Sequence, residues 1–265
     1  MGKTIGVISL KGGVGKTTAV VALGSALADF GKKVLLVDGN FSAPNLGLHL
    51  DLFDTEKTIH HVLNREVNPS EAVYKFDNFD VLPASIFGNF NINPLKLRDR
   101  LRHLKRSYDI ILIDSSPSMN EETLAVMNAS DDLIVVTTPD HATLGTTMKA
   151  VKTARQREVP IVGLIINRVY RKNFEIPLRE IEDATEVPVM AVVPYDIGFL
   201  KSLAKCVPYT KYSRSEGSEE FKKLAATIIG EKYKPVRVRR FFRWINPRKQ
   251  DINREIFYRS LFDNQ

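Results

Sequence analysis

The chain has 265 residues, which is long enough for one large α/β domain or a domain with an appendage. Of these residues, 43% are hydrophobic and 26% are charged, a composition that argues against wholesale disorder or a fibrous protein. No apolar run approaches the roughly 18 residues of a membrane-spanning helix, and residues 1–10 lack the apolar core of a signal peptide, so we expect a cytoplasmic protein. The single cysteine, Cys206, excludes an intramolecular disulfide and a thiolate-bound metal cluster.

The net charge of +7 is unevenly distributed along the chain. Residues 231–265 hold ten Lys/Arg and four Asp/Glu, which leaves residues 1–230 nearly neutral. The sequence therefore predicts a domain over residues 1–230 and a basic tail over residues 231–265. Such a tail is typical of proteins that bind an anionic partner, either nucleic acid or a membrane.

Apolar runs of strand length alternate with helix-like stretches. The runs are residues 4–9, 33–37, 79–82, 110–113, 133–136, 161–166 and 189–193. Several, such as residues 110–113, are apolar on both faces, as parallel strands covered by helices on both sides require. We therefore predict a single doubly wound, mostly parallel α/β sheet. Because ligands of such sheets bind at the carboxyl ends of the strands, functional residues are expected directly after the runs.

A glycine-rich loop follows the first run and precedes a helix-compatible stretch. Its sequence is Lys11-Gly12-Gly13-Val14-Gly15-Lys16-Thr17-Thr18. Glycines allow backbone N–H groups to converge on phosphate oxygens, and a helix N-terminus adds partial positive charge. In such a loop Lys16 can reach the β- and γ-phosphates and Thr17 can bind Mg²⁺. The strict P-loop pattern requires glycine where Leu10 stands, so a glycine-rich turn without a ligand is the alternative.

Two other runs end in acidic residues. Asp38 follows the second run, and Asp114 follows the run at 110–113 in the form of a Walker B motif. Beside a phosphate cradle, Asp38 can hold Mg²⁺ or its waters, and Asn45 can line the site of an attacking water. A capping or turn role for these residues is the alternative.

The loop at residues 11–18 resembles the deviant Walker A box of the MinD/ParA ATPases, and residues 37–48 and 108–117 resemble the two switch segments of that family. The resemblance extends over roughly residues 3–230 and implies ATP and Mg²⁺ as ligands, with Thr17, Asp38 and Asp114 at the metal. It also implies an ATP-dependent homodimer in which Lys11 reaches the nucleotide of the partner. A second cation supplied in trans would make hydrolysis depend on dimerisation.

The sequence departs from the family at Asn40, where MinD proteins commonly carry an aspartate. An amide can orient a water molecule but does not accept its proton. We therefore expect slow hydrolysis and a long-lived ATP state, with Lys11, Lys16, Asp38 and Asn40 as the catalytic residues.

The base of the nucleotide is expected near the later strands. Asn167 and Arg168 resemble the base-binding pair of the family, and an asparagine offers both a donor and an acceptor to an adenine edge. Pro194 and Asp196 occupy the position of the loop that packs against the base. Asp140, after the run at 133–136, is a candidate dimer or water contact. Ordinary turn chemistry is the alternative for these residues.

The tail contains an amphipathic stretch over residues 236–246. On a helical wheel, the apolar arc consists of Val238, Phe241, Phe242, Trp244 and Ile245, and the opposite arc of Arg239, Arg240 and Arg243. This pattern is typical of an interfacial membrane helix, and two such anchors in a dimer would bind much more firmly than one. The alternatives are a helix packed on its own domain and a DNA-binding segment. Residues 250–265 suggest a second short helix of open role.

These features predict a MinD-like ATPase that acts as a homodimer on an anionic membrane surface, with an unidentified activating or cargo protein. The alternatives are a ParA- or FlhG-like ATPase that positions DNA or a surface appendage, and a slow nucleotide-gated scaffold. DNA is the less favoured target because residues 1–230 carry almost no net charge. None of the five histidines has metal-ligand spacing, so we expect them to be ordinary surface or core residues.

Overall fold

The computed structural model describes residues 2–88, 90–233 and 248–263. The predicted membrane-binding residues at 238–245 therefore lie outside the described residues. Within the three described ranges, no helix combines the length and the apolar character needed to cross a membrane.

Among the described residues, one sheet contains eight strands. They are β1 (Lys3–Ile8), β2 (Val34–Gly39), β3 (Tyr74–Phe76), β4 (Phe79–Leu82), β5 (Ile110–Ser115), β6 (Asp132–Thr137), β7 (Ile161–Val169) and β8 (Val189–Pro194). Their spatial order is β3-β4-β2-β5-β1-β6-β7-β8, and only the β3–β4 pair is antiparallel. The doubly wound, mostly parallel sheet predicted from the sequence is confirmed, with β3 as an addition.

Helices connect most of the strands. They are α1 (Lys16–Asp29), α2 (Leu46–His49), α3 (Ile59–Leu63), α4 (Leu97–Leu101), α5 (Glu121–Ala129), α6 (His141–Gln156), α7 (Leu178–Thr185), α8 (Gly198–Leu203), α9 (Tyr209–Tyr212), α10 (Glu216–Ile228) and α11 (Lys249–Asp263). Short 3₁₀ helices lie at Pro69–Ala72, Pro94–Lys96 and Leu104–Arg106.

The two faces of the sheet carry separate hydrophobic layers. In β5, Ile111 and Ile113 belong to one layer, whereas Ile110 and Leu112 belong to the other, as the two-residue period of a strand requires. All four side chains are buried. This arrangement explains why the run at 110–113 contains no polar residue, and it places the carboxyl end of β5 at the centre of the molecule.

The helix α11 packs against β8 and α10 with a polar face. Gln250, Asn253 and Arg254 are buried, whereas Ile252 and Ile256 are 42% and 62% exposed. The second short helix suggested by residues 250–265 is therefore present, and its two isoleucines lie at the surface.

Two of the buried polar side chains of α11, those of Asn253 and Arg254, bond to the backbone of β8. The Nδ2 of Asn253 donates to the carbonyl of Val189 at 2.7 Å and to Oε1 of Glu182 at 2.6 Å, and that carboxylate accepts from the Val189 amide at 2.7 Å. Arg254 donates to the carbonyl of Met190 at 2.6 Å. The outermost strand of the sheet thus obtains hydrogen-bond partners from side chains.

The start of α11 is tied to the first turn of α10. Arg248 donates to Oε1 of Glu216, and Arg171, in the loop after β7, lies 2.6 Å from the same oxygen. Glu216 therefore joins the C-terminal helix to a loop that begins near the predicted base-binding pair.

Candidate functional site

A cavity of about 410 Å³ lies at the carboxyl ends of the strands. All the predicted catalytic, nucleotide-binding and metal-binding residues line it, except Asp38 and Asp114, which are fully buried. The lining residues from that set are Lys11, Gly12, Gly13, Val14, Gly15, Lys16, Thr17, Thr18, Asn40, Asn45, Asn167, Arg168, Pro194 and Asp196. The fold therefore brings together residues that are up to 185 positions apart in the sequence.

The glycine loop joins β1 to α1. Gly13 and Gly15 have φ angles of +79° and +88°, in the left-handed region that favours glycine. A Cβ atom on Gly15 would clash with Nδ2 of Asn167. That same Nδ2 atom donates to the carbonyl of Val14 at 2.7 Å, so the loop is fastened directly to the end of β7.

Lys16 and Thr17, at the start of α1, both bond to Asp114 at the end of β5. Nζ of Lys16 donates to Oδ1 of Asp114 at 2.8 Å, and the Thr17 hydroxyl donates to Oδ2 at 2.6 Å. Lys16 also donates to the carbonyl of Ser115. The lysine and the hydroxyl that the sequence assigns to phosphate and Mg²⁺ are therefore adjacent to the same buried carboxylate.

Asp38 accepts three backbone N–H groups from the loop between β2 and α2. Oδ1 accepts from Asn40 at 3.0 Å, and Oδ2 accepts from Leu46 at 3.0 Å and from Asn45 at 3.2 Å. Burial and the neighbouring charge of Asp114 nevertheless raise the pKa of Asp38 to about 7. Two adjacent carboxylates and the Thr17 hydroxyl form an oxygen donor set, which suits Mg²⁺.

Asn40 faces the cavity from the loop after β2, where it is almost fully buried. Its Nδ2 donates to the carbonyl of Ala43, which closes a small turn within the loop. The amide oxygen is the acceptor that this side chain can present to a bound water molecule.

Lys11 lies at the rim of the cavity and bonds to the start of α6. Its Nζ is 2.9 Å from Oγ1 of Thr143 and 3.3 Å from Oδ1 of Asp140. Burial opposes the ionisation of Asp140, but bonds from Thr138, Thr143 and Lys11 outweigh it and lower the pKa of this carboxyl to about 2. Within one chain, Lys11 thus has an anionic partner of its own.

The opposite side of the cavity is formed by the loop after β8. Oδ1 of Asp196 accepts from the Gly198 amide at 2.7 Å, and Oδ2 accepts from the hydroxyl of Tyr209 at 2.6 Å. Tyr195 stacks on Tyr170 with 4.9 Å between the ring centroids, next to Asn167 and Arg168. Planar side chains therefore stand beside the predicted base-binding residues.

The sequence reasoning missed His49, which also lines the cavity. Its Nδ1 lies 2.9 Å from the carbonyl of Asn45, and its Nε2 lies 3.4 Å from the hydroxyl of Thr18. The signal that could have found it is its position in the sequence, because a residue four positions after Asn45 on a helix falls on the same face.

Comparisons with known proteins agree with this architecture. A family model described as an AAA domain matches residues 2–161, and one described as a NUBPL iron-transfer P-loop NTPase matches residues 103–229. An uncharacterised ATP-binding protein of Methanocaldococcus jannaschii is 33% identical over 237 residues, which cover 88% of this chain and 90% of that protein. The septum site-determining protein MinD of Thermotoga maritima is 30% identical over 242 residues, covering 87% and 89%.

A solved structure is similar over most of its length. It is the septum site-determining protein MinD of Pyrococcus horikoshii in complex with Mg-ADP, with a TM-score of 0.81 and 34% identity. The match covers 86% of this chain and 96% of that one.

Proposed function

Because the chain belongs to the MinD/ParA family of P-loop ATPases, we propose that it is a MinD-like ATPase. In this proposal it binds Mg·ATP, dimerises in that state and acts as a spatial regulator at a membrane. The observation that carries the proposal is the cavity at the carboxyl ends of the strands, where the glycine loop, the Asn40 loop and Asn167 meet. Hydrolysis to ADP and phosphate would end the membrane-bound state.

In this proposal, the phosphates of ATP bind the backbone amides of residues 12–18 at the N-terminus of α1. Lys16 moves from Asp114 to the β- and γ-phosphates. Asn167 and Arg168 bind the adenine, while the loop at Pro194 and Asp196 packs against it. The similar structure of MinD from Pyrococcus horikoshii is a complex with Mg-ADP, which supports a nucleotide as the ligand in this proposal.

Mg²⁺ fits the oxygen set of Thr17, Asp38 and Asp114. Burial and the neighbouring charge of Asp114 together raise the pKa of Asp38 to about 7, and a divalent cation between the two carboxylates would relieve their repulsion. When bound, the ion supplies charge stabilisation at the phosphates. Asp38, held by three backbone amides, keeps its carboxylate fixed beside Asp114.

The catalytic step in this proposal depends on Lys11 and Asn40. Lys11 leaves Asp140 and Thr143 and reaches the nucleotide of the partner subunit, so that charge developing at the phosphates is stabilised only in the dimer. Asn40 orients the attacking water without accepting its proton, and hydrolysis is therefore slow until an activating partner binds.

The tail makes the dimer a membrane switch in this proposal. One helix with the composition of residues 236–246 is a marginal anchor, whereas two in one dimer bind an anionic surface together. The cargo or activating protein would be recruited to that membrane-bound dimer.

Sedimentation of the full-length protein tests this function. Vesicles of phosphatidylglycerol and phosphatidylethanolamine, and separately duplex DNA, are mixed with the protein in Mg·ATP or in ADP. We expect ATP-dependent pelleting with the vesicles, which the double substitution Phe241→Ser and Trp244→Ser abolishes. Binding to DNA alone would overturn the membrane role in favour of a ParA- or FlhG-like one, and binding to neither would favour a nucleotide-gated scaffold.

A further inference from the structure

The peptide unit between Phe41 and Ser42 is held at both of its polar ends by buried side chains. Nε2 of His60 lies 3.1 Å from the carbonyl oxygen of Phe41, and the amide of Ser42 donates to Oε1 of Glu122 at 2.8 Å. This peptide lies one residue after Asn40, in the loop between β2 and α2. Rotation of the peptide plane would break both hydrogen bonds at once.

The bond from His60 has a fixed direction. The Ser85 amide donates to Nδ1 of His60 at 3.2 Å, so the ring proton lies on Nε2, which donates to Phe41. The ring is 2% exposed and stacks on Phe90 at 4.4 Å between centroids. Burial lowers the pKa of His60, which favours the neutral ring that both bonds require.

Only one of the two carboxylate oxygens of Glu122 has a hydrogen-bond partner among the described residues. Glu122 is 8% exposed, and its Oε1 also accepts the hydroxyl of Ser42. Its Oε2 is buried and has no hydrogen-bond partner in the part of the chain that the structure describes. A buried carboxylate oxygen without a partner is destabilising, so its presence here needs an explanation beyond stability.

Glu122 connects the segments that follow the two strands carrying Asp38 and Asp114. It lies in the first turn of α5, which follows the loop after β5, whereas Ser42 belongs to the loop after β2. The N-terminus of α5 favours a negative charge at this position. A displacement of either loop is therefore passed to the other through one carboxylate.

We propose that Glu122 is a positioning residue, which clamps the Phe41–Ser42 peptide with His60 and thereby sets Asn40 relative to Asp38 and the attacking water. The proposal rests on the ATPase function proposed above. Glu122 does not line the cavity, so it acts through the backbone of the loop and makes no contact with the nucleotide. Its role is to hold the loop after β2 in a fixed position relative to the loop after β5.

Steady-state ATP hydrolysis by full-length variants tests the proposal. For Glu122→Ala we expect kcat to fall about tenfold or more, because a small misplacement of a catalytic group has effects of that size. The KM for ATP should stay within about twofold, since ground-state binding is not affected. Glu122→Gln keeps an oxygen for the Ser42 amide and should restore most of kcat. Ser42→Ala removes only the hydroxyl and should resemble the wild type.

The matched control is Glu121→Ala, which removes an exposed carboxylate from the same helix turn. Amide hydrogen exchange over residues 40–46 provides a readout independent of turnover, and it should accelerate in Glu122→Ala but not in Glu121→Ala. The proposal would be overturned if Glu122→Ala had the kcat and the exchange rates of the wild type. It would also be overturned if Glu122→Ala lost ATP affinity, thermal stability and kcat together and Glu122→Gln did not restore them. If the wild type hydrolyses no ATP, the proposed function fails, while the exchange result still decides the role of the clamp.

Discussion

Substitution of Arg254 by alanine tests whether α11 is an integral part of the fold. The guanidinium is 6% exposed and lies at the junction of α11, β8 and α10. It donates to the Met190 carbonyl at 2.6 Å, and it lies 3.1 Å from the fully buried carboxylate of Glu220. It also donates to Asp251 in the same helix.

The expected loss of stability follows from these contacts. A hydrogen bond from a charged group contributes about 1.5–3 kcal/mol, and breaking a buried ion pair costs about 3–5 kcal/mol. Lys223 also lies 3.1 Å from Glu220, so we expect the buried carboxylate to keep a counter-charge in the variant. We therefore expect Arg254→Ala to lower the free energy of unfolding by about 2–4 kcal/mol.

Urea denaturation followed by circular dichroism measures this change. The matched control is Arg259→Ala on the same helix, whose partner Glu255 and whose own side chain are both largely exposed. That control should change stability by less than about 0.5 kcal/mol. If Arg254→Ala is as mild as the control, the inferred docking of α11 through its polar face is wrong.

Three further predictions concern the site and its surroundings. Asn40→Asp should raise ATP turnover about tenfold or more because a carboxylate accepts the proton of water, and a variant no faster than the wild type would contradict this. Gly15→Ala places a side chain at a φ of +88°, which should lower the free energy of unfolding by about 1–2 kcal/mol. Most of the ATP affinity, measured by titration calorimetry, should be lost, and an unchanged affinity would contradict this prediction. For Glu216, burial opposes ionisation, but the two arginines outweigh it and lower the pKa below the ordinary 4.5. The stability that a lowered pKa contributes is present above pH 4.5 and is lost on acidification. The difference in the free energy of unfolding between the wild type and Glu216→Gln should therefore become smaller from pH 7 to below pH 4.5. A difference that stays constant with pH would contradict this reasoning.

The central strands could be predicted from the sequence because their residues are apolar on both faces. The run at 110–113 became Ile110–Ser115, and the run at 189–193 became Val189–Pro194, each with small shifts at the ends. The convergence of Lys16, Asp38 and Asn167 also followed from the sequence, since the carboxyl ends of parallel strands share one edge of the sheet.

Other features have no local signal in the sequence. The strand Tyr74–Phe76 has only three residues and is defined by its antiparallel partner. His60 and Glu122 meet the same peptide only in the folded chain, 62 positions apart. In α11, the polar face that packs on β8 has no local signal in the sequence, because the partners of Asn253 and Arg254 lie 64 positions away along the chain.

The coverage of β8 by α11 has a consequence for experiments that shorten the chain. A chain cut after residue 230 would lose Asn253 and Arg254, which would leave the Val189 and Met190 carbonyls without these partners. An uncovered outermost strand is a template for pairing with other chains, so the truncated protein is expected to self-associate into sheet-extended aggregates. Such aggregates would sediment without any vesicle and would imitate membrane binding. Substitutions at Phe241 and Trp244 avoid this outcome because they leave the cover of β8 in place.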